Sequence, residues 1–374
     1  MQEWLARDEA LNRLGVRAQT LYAYVSRGLV ERRPDAGDPR KSLYRAEDIL
    51  QLTQRRARGR RPAAIAASAI AWGEPVIETS ISTVIHGRLI FRGQDVVSLA
   101  ESATLEEMAA LLWEQPGGVA FPHSGMAGDP FVALAGEVAG GRSIIGRPRA
   151  KLALDAGSAV AVLTGAVGGH GDAPIHRRLA GGWSVDRAGE DLIRRALVLL
   201  ADHELNPSTF AVRVAASTGA SVPAALLAGL CTLSGPKHGG AGAALAALLT
   251  EAEHVGAEAA VARWLATGHG LPGFGHPLYP HGDPRSAALL ANLTLDPALT
   301  LLRDAAAEMT GALPNIDFGL LAVIRTAGLP IDAGFRLFAV ARSVGWAAHA
   351  IEQYAGGTII RPRATYSGSV PGIA

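Results

Sequence analysis

Apolar residues recur at intervals of three and four through most of this chain, the spacing of helices that bury one face, and strict alternation is confined to one short stretch. Near the N-terminus Leu11 and Leu14 share a face over Arg7 to Leu14, and Gly15 supplies a stop. Leu21 and Val25 predict a second helix over Arg17 to Arg27, ended by Gly28. The Pro-, Gly-, Asp- and Arg-rich run from Glu31 to Tyr44 suits a turn between two short strands. Ala46 to Arg56 reads as a third helix with Ile49, Leu50 and Thr53 facing inward. After Pro75, the alternating Ile77, Thr79, Ile81 and Thr83 predict a strand leading to a hairpin at His86-Gly87. Beyond it the pattern is helical, as in Leu105, Met108, Ala109 and Leu112, with residues 114–150 and 167–190, rich in Gly, Pro and Asp, expected as long connections. No internal repeat or heptad array is present. The pattern predicts a mainly α protein: a small domain over residues 1–61, then a two-lobed domain over 62–374.

Hydrophobic residues make up 49% of the 374 positions and charged ones 18%, which supplies a large core and excludes a disordered chain. The net charge of +1 hides an uneven distribution: residues 1–61 carry 14 Arg+Lys against 8 Asp+Glu, the remainder 21 against 26. A small basic head on an acidic body points to two jobs. The uncharged run from Val214 to Pro236 exceeds the roughly 20 residues that a bilayer span needs. Ser217, Thr218, Gly219, Ser221, Pro223 and Gly229 dilute it, so a buried helix is expected there. With no signal-peptide pattern at the N-terminus, the protein reads as cytoplasmic. The single cysteine, Cys231, excludes an intramolecular disulfide.

Four polar patches break the apolar chain: Ala201 to Phe210, Ser234 to Ala241, Leu271 to Tyr279 with Asp283-Pro284-Arg285, and Leu313 to Phe318. A fifth, arginine-rich set lies at Arg342-Ser343 and Arg361-Pro362-Arg363. His238 before Gly239 and His276 after Gly275 sit where backbone can approach a ligand closely. Asp317 lies among apolar residues, where desolvation would raise its pKa and suit it to general-base work. The arginines suit bidentate binding of carboxylates or phosphates. Together these fit proton abstraction beside a carbonyl on an anionic substrate. The histidines lack the short fixed spacing of a zinc site, and G-x-S-x-G is absent, so neither a metal site nor a nucleophilic serine is expected. His86, His123, His170, His176, His254, His269, His281 and His349 read as ordinary core or surface residues, and Asp202 and Glu204 as caps or pairs within their turn.

The first 55 residues or so, with helix, Gly turn, helix ending in SRGLV, basic turn and LYRAEDILQL, resemble the winged helix-turn-helix of MerR and excisionase-type proteins. The resemblance implies base contacts from Arg17, Gln19, Thr20 and Tyr22 and phosphate contacts from Arg32, Arg33, Arg40 and Lys41. The same segment also suits a dimer-packing module with a solvated basic face.

Residues 76–374 resemble citrate synthase and its 2-methylcitrate synthase relatives. FRGQDVVSLAESATLEEMAALLWEQP, ADHELNPSTFAVRVAAST, GPKHGGA, PGFGHPLY with DPR, PNIDF, ARSVGWAAHAIEQ and RPRATY follow in family order. The resemblance implies a two-lobed helical homodimer that condenses acetyl-CoA with oxaloacetate and needs no cofactor. The large lobe would span about 62–207 and 320–374, the small lobe about 208–319. It implies that His238 holds the thioester carbonyl, Asp317 removes the methyl proton and His276 polarises the ketone. His203, Phe338, Arg285 and Arg342 would bind oxaloacetate, Arg361 would reach the neighbouring subunit's site, and Leu271, Pro272, Gly273, Phe274 and Gly275 would lie against CoA. Three departures bear on substrate choice: Pro277 and Pro280 replace basic residues after His276, Ala241-Gly242-Ala243-Ala244 replaces a polar pair, and Phe318-Gly319-Leu320 replaces an aromatic-Ser-Gly run. Propionyl-CoA remains an alternative substrate. A metabolite-sensing DNA-binding regulator with little catalysis is the alternative function.

Overall fold

A computed structural model describes residues 4–16, 18–26, 29–35, 37–38, 41–57, 77–364 and 368. The chain divides into two units, Met1–Glu78 and Thr79–Ala374. The expected boundary at 61/62 lies outside the described residues, as do Arg58, Arg60 and Arg61 of the basic linker expected before it and Arg17, Arg27, Gly28 and Arg40; Arg55 and Arg56 of that linker fall within the helix Ala46–Ala57.

In the first unit a strand at Trp4–Ala6 leads into helices Arg7–Leu14 and Ala18–Ser26, strands Arg32–Pro34 and Ser42–Arg45, and helix Ala46–Ala57. Gly15, at φ 62, closes the first helix in the left-handed conformation that glycine adopts without strain. The Ser42–Arg45 strand is central, antiparallel to both others, with Leu5 opposite Tyr44 and Arg33 opposite Leu43. Three residues are too few for alternation to announce the first strand; pairing holds it. Leu5, Ala10, Leu14, Leu21, Tyr44, Ile49 and Leu52 form the core. Leu50 is 55% exposed rather than inward, because the buried stripe of its helix runs through Ala46, Ile49 and Leu52.

The second unit opens with the hairpin Ser82–Ile85 and Arg88–Phe91, which turns on His86 (φ 50) and Gly87 (φ 74), and adds a short strand at Gln94–Asp95. The strand expected from Ile77 begins only at Ser82. Helices follow at Val96–Leu99, Leu105–Trp113, Pro130–Gly140, Arg149–Ala166, Ile175–Gly182 and Arg187–Leu200. Two lie within the stretches expected as connections. Asp129 starts one of them by accepting from the Phe131 and Val132 amides, and Pro174 precedes the other. These are start signals that the Gly/Pro-rich composition hid.

Val214 to Pro236 is two helices rather than one: the end of Pro207–Ser217 and all of Val222–Leu233, separated at Gly219 and restarted by the Ser221 cap and Pro223. Among the described residues no helix is long and apolar enough to cross a membrane. Cys231 is exposed on the second of the pair. Helices Ala241–Val255, Ala257–Ala266, Pro284–Leu290, Pro297–Thr310, Ile316–Thr326 and the 24-residue Ala333–Gly356 complete the unit.

Its apolar residues fall into two clusters. The larger gathers the long helix, buried almost continuously from Leu337 to Ile351, with Val212, Leu226 and Leu230. The Pro207–Ser217 and Val222–Leu233 helices therefore pack in the larger core, although a small lobe was expected to begin at residue 208. The smaller cluster holds Leu245, Leu248, Val261, Leu299 and Leu302. Helix Ile316–Thr326 serves both: Ile316, Leu320 and Val323 face the larger cluster, Phe318, Leu321 and Ala322 the smaller. The seam between them carries the polar patches.

Candidate active site

Each polar patch sits at a helix boundary that fixes its backbone. His203 lies in the turn after Arg187–Leu200, where Asn206 caps the next helix and donates to the His203 carbonyl (3.2 Å). His238 sits in the tight turn Ser234–Gly240. A Cβ on Gly239 would fall 2.6 Å from Leu233 and one on Gly240 2.8 Å from the Ser234 carbonyl, so only glycine fits there. The 271–275 loop is tied to the segment before Asp317: Gly275 N donates to the Leu313 carbonyl (2.8 Å), and Asn315 N to that of Gly273 (2.9 Å). Asn315 then caps the helix that begins with Ile316 and Asp317, accepting from the Asp317 amide at 3.0 Å.

The imidazole of His203 lies 5.2 Å, ring to ring, from that of His276, and its Nε2 is 2.8 Å from the Tyr279 hydroxyl. The Tyr279 ring is 4.9 Å from His276 and lies under the Arg285 guanidinium at 5.2 Å. Arg285 is buried and paired bidentately with Asp283 at 3.0 and 2.7 Å; Asp283 also accepts the Ile316 amide at 3.0 Å, linking that arginine to the helix of Asp317. Arg342, also buried, donates from Nε to the Leu200 carbonyl (2.8 Å) and lies 4.9 Å over Phe338, whose ring is 6.3 Å from His238. His238 Nε2 is 2.9 Å from Ser208 Oγ, which also accepts from Trp346 Nε1 at 3.2 Å.

Electrostatics separates the roles. Burial, with Arg342 close by, lowers His238 to about 4; burial, with Arg285 close by, lowers His276 to about 4. His203 is pushed well below the usual imidazole range by burial and by Arg285 and Arg342. All three rings are thus neutral near pH 7. His276 Nδ1 accepts the Leu278 amide at 3.1 Å, so its proton resides on Nε2, a donor that carries no charge. Burial raises Asp317 to about 6 against the pull of Arg285. Arg342 is lowered to about 10 by burial, with Asp202 as its opposing carboxylate, and stays cationic. One base, neutral donors and two buried guanidiniums can enolise a carbonyl compound beside a dicarboxylate.

His203, His238, His276, Arg285, Phe338 and Arg342 are thus brought together, and Asp317 joins them through Arg285. Arg361 is exposed on the extended segment after the long helix, and none of the contacts above includes it. Leu271 and Phe274 turn inward to the smaller cluster, Phe274 lying 5.2 Å from Phe318, which leaves Pro272, Gly275 and loop backbone on the outside. A network behind His203 went unread in the sequence. Ser82 donates to Asp202, His349 Nε2 lies 3.2 Å from Asp202, Arg213 Nε donates to His349 Nδ1 (2.9 Å), and Arg213 continues to Gln353 and Glu352. Because Arg213 can only donate, His349 carries its proton on Nε2 and donates it to Asp202. The signal was the spacing of His349, Glu352 and Gln353 on one helix, but their partners lie more than a hundred residues away. Among the described residues no three His, Cys, Asp or Glu side chains form a group that could hold a metal ion.

The two-cluster helical unit and its seam define a fold class that is already known from solved structures. Citrate synthase from Thermotoga maritima has the same fold, with a TM-score of 0.62 and 25% identity, covering 81% of this chain and 96% of that one. Residues 168–363, just over half of the chain, match the family described as citrate synthase, C-terminal domain, and the chain belongs to the citrate synthase family. Citrate synthase 2 of Bacillus subtilis is 38% identical over 189 residues, 48% of this chain and 51% of that protein. 2-Methylcitrate synthase 2 of Corynebacterium glutamicum is 34% identical over 185 residues, 46% and 48% of the two chains. The chain thus spans about half the length of the curated relatives it matches.

Proposed function

We propose that this protein condenses a short acyl-CoA, acetyl-CoA in the first instance, with oxaloacetate to give citrate and CoA. The supporting observation is the coexistence of Asp317, raised to about 6, with His238 and His276, each held neutral at about 4. Ionised Asp317 takes a proton from the thioester methyl group while the developing enol oxygen is stabilised by His238. The enolate carbon attacks the ketone carbon of oxaloacetate as the C=O π pair moves onto the ketone oxygen, which the Nε2–H of His276 stabilises; the thioester carbonyl re-forms and the alkoxide takes up a proton. Water then cleaves the thioester and releases CoA. Arg285 and Arg342 take the carboxylates, and their burial makes each contact stronger than it would be in water. His203 and Phe338 complete the oxaloacetate subsite; Arg361 serves the neighbouring subunit's site in a homodimer. CoA lies along the 271–275 loop. The chemistry calls for no metal or other cofactor.

Thiol release by the purified protein given acetyl-CoA and oxaloacetate tests the reading, and absence of turnover with any short acyl-CoA would overturn it. Propionyl-CoA belongs in the same panel, because one relative carries the name of 2-methylcitrate synthase and Pro277 and Pro280 alter the CoA side.

For the first unit we propose a MerR-type winged helix-turn-helix that contacts DNA. Gln19 and Tyr22 are exposed on Ala18–Ser26, and Arg32, Arg33 and Lys41 are exposed along the strand pair. A cytoplasmic protein that binds DNA through this unit, with the second unit as its metabolite sensor, is the competing reading; a gel shift with and without oxaloacetate and CoA distinguishes them.

A further inference from the structure

Tyr279 has no role in the reading above, yet it touches three of its groups: His203, His276 and Arg285. The side chain is 2% exposed. Around His203 stand Arg285, Arg342, His276 and His238; of its two carboxylate neighbours in sequence, Asp202 turns to Ser82 and His349, and Glu204 to the Val84 amide. Two arrangements satisfy the 2.8 Å contact between the phenol and His203 Nε2. If Nε2–H donates to the phenol oxygen, the phenol proton has no acceptor among the described residues and an O–H is left unpaired in a buried site. If the phenol donates to a bare Nε2, the imidazole proton resides on Nδ1. Each arrangement makes one hydrogen bond, and the second is favoured because a phenol O–H is the stronger donor and a bare imidazole nitrogen the stronger acceptor. Nδ1–H is then the donor left for a ligand, with Arg285 and Arg342 near the ring.

We infer that Tyr279 is a positioning residue: its hydroxyl fixes His203 as the Nδ1–H tautomer, so that an uncharged N–H donor is offered to the oxygens of an α-keto dicarboxylate. The inference rests on the oxaloacetate reading for the identity of that ligand, but not for the tautomer. Burial and the nearby Arg285 and Arg342 guanidiniums discourage a second proton on His203, so the phenol decides which nitrogen donates. Without the hydroxyl the proton is free to move to Nε2, and a lone pair then faces the substrate's oxygens.

Nitrogen NMR of histidine-labelled wild-type protein, with the His203 signals assigned by their loss in His203→Gln, tests this directly. The expected spectrum has a protonated Nδ1 and a bare, hydrogen-bonded Nε2; a protonated Nε2 overturns the inference. Tyr279→Phe keeps the ring against His276 and Arg285 and deletes only the hydroxyl. Its KM for oxaloacetate should rise about ten-fold, as for one lost hydrogen bond, with the KM for acyl-CoA unchanged and Nε2–H newly visible at His203. Equal KM values with an unchanged tautomer would reject the role. If wild-type protein shows no condensation at all, the spectrum and a direct oxaloacetate titration still report on Tyr279, so the two failures are distinguishable.

Discussion

Asp317 sits under two opposed influences. It occupies the first turn of its helix, where the unpaired amides favour a carboxylate, and Arg285 adds a cation. Burial outweighs both and leaves the group near 6. The rate of condensation should therefore fall below pH about 6 and level off above it, with no second limb from His238 or His276 until about 4. A pH profile of kcat checks this; a flat profile from pH 5 to 8 would contradict it. Asp317→Asn should lower kcat by roughly 10²–10⁴-fold. It should also raise stability. A carboxyl whose folded pKa lies above its unfolded value binds its proton more tightly in the native state, so native stability declines as pH rises from about 4 toward 6 and stays lower above it. Removing the charge should return about 1–2 kcal/mol at pH 7, read from urea unfolding.

At the scale of the element, the Ala333–Gly356 helix supplies two of the site's side chains and backs the turn that carries His203. It carries Phe338 and Arg342 on one turn, Trp346 and His349 on the next ones, and it approaches the His203 turn without a side chain at Gly345. A Cβ there would lie 2.4 Å from both the Ala201 carbonyl and Asp202 Oδ1. Gly345→Ala should destabilise the protein by about 1–3 kcal/mol and impair oxaloacetate binding more than acyl-CoA binding, since the displaced atoms are those that carry His203. Equal stability of the variant and wild type would show that the turn yields freely. This close approach was hidden in the sequence, where Gly345 stands in an ordinary helical run. His238, His276 and Asp317 stood out in the sequence by their settings, glycine beside each histidine and apolar neighbours around Asp317, and by their places in the ordered motifs; their proposed roles await the assays. Asp202, Arg213 and His349 did not stand out, because their meaning lies in pairings across 136 and 147 residues. Helix Pro130–Gly140 was masked by glycine and proline at its flanks, although Asp129-Pro130 is itself a start signal. Burial of Ile49 but not Leu50 shows a similar limit: periodicity locates a stripe to within a residue, and packing chooses its centre.

The whole molecule joins a family fold to a basic N-terminal unit. If the exposed Arg32, Arg33 and Lys41 meet phosphates, gel-shift affinity should drop steeply as salt is raised from about 50 to 200 mM, since each neutralised phosphate releases counterions. Removal of residues 1–61 should abolish the shift while thiol release continues; loss of both together would make the units interdependent. One exposed sulfur bears on every such assay. Cys231 is the chain's single thiol, so a disulfide reagent that reports released CoA will register up to one equivalent per chain before turnover begins. That fixed offset serves as an internal count of the enzyme present, and Cys231→Ser gives the blank.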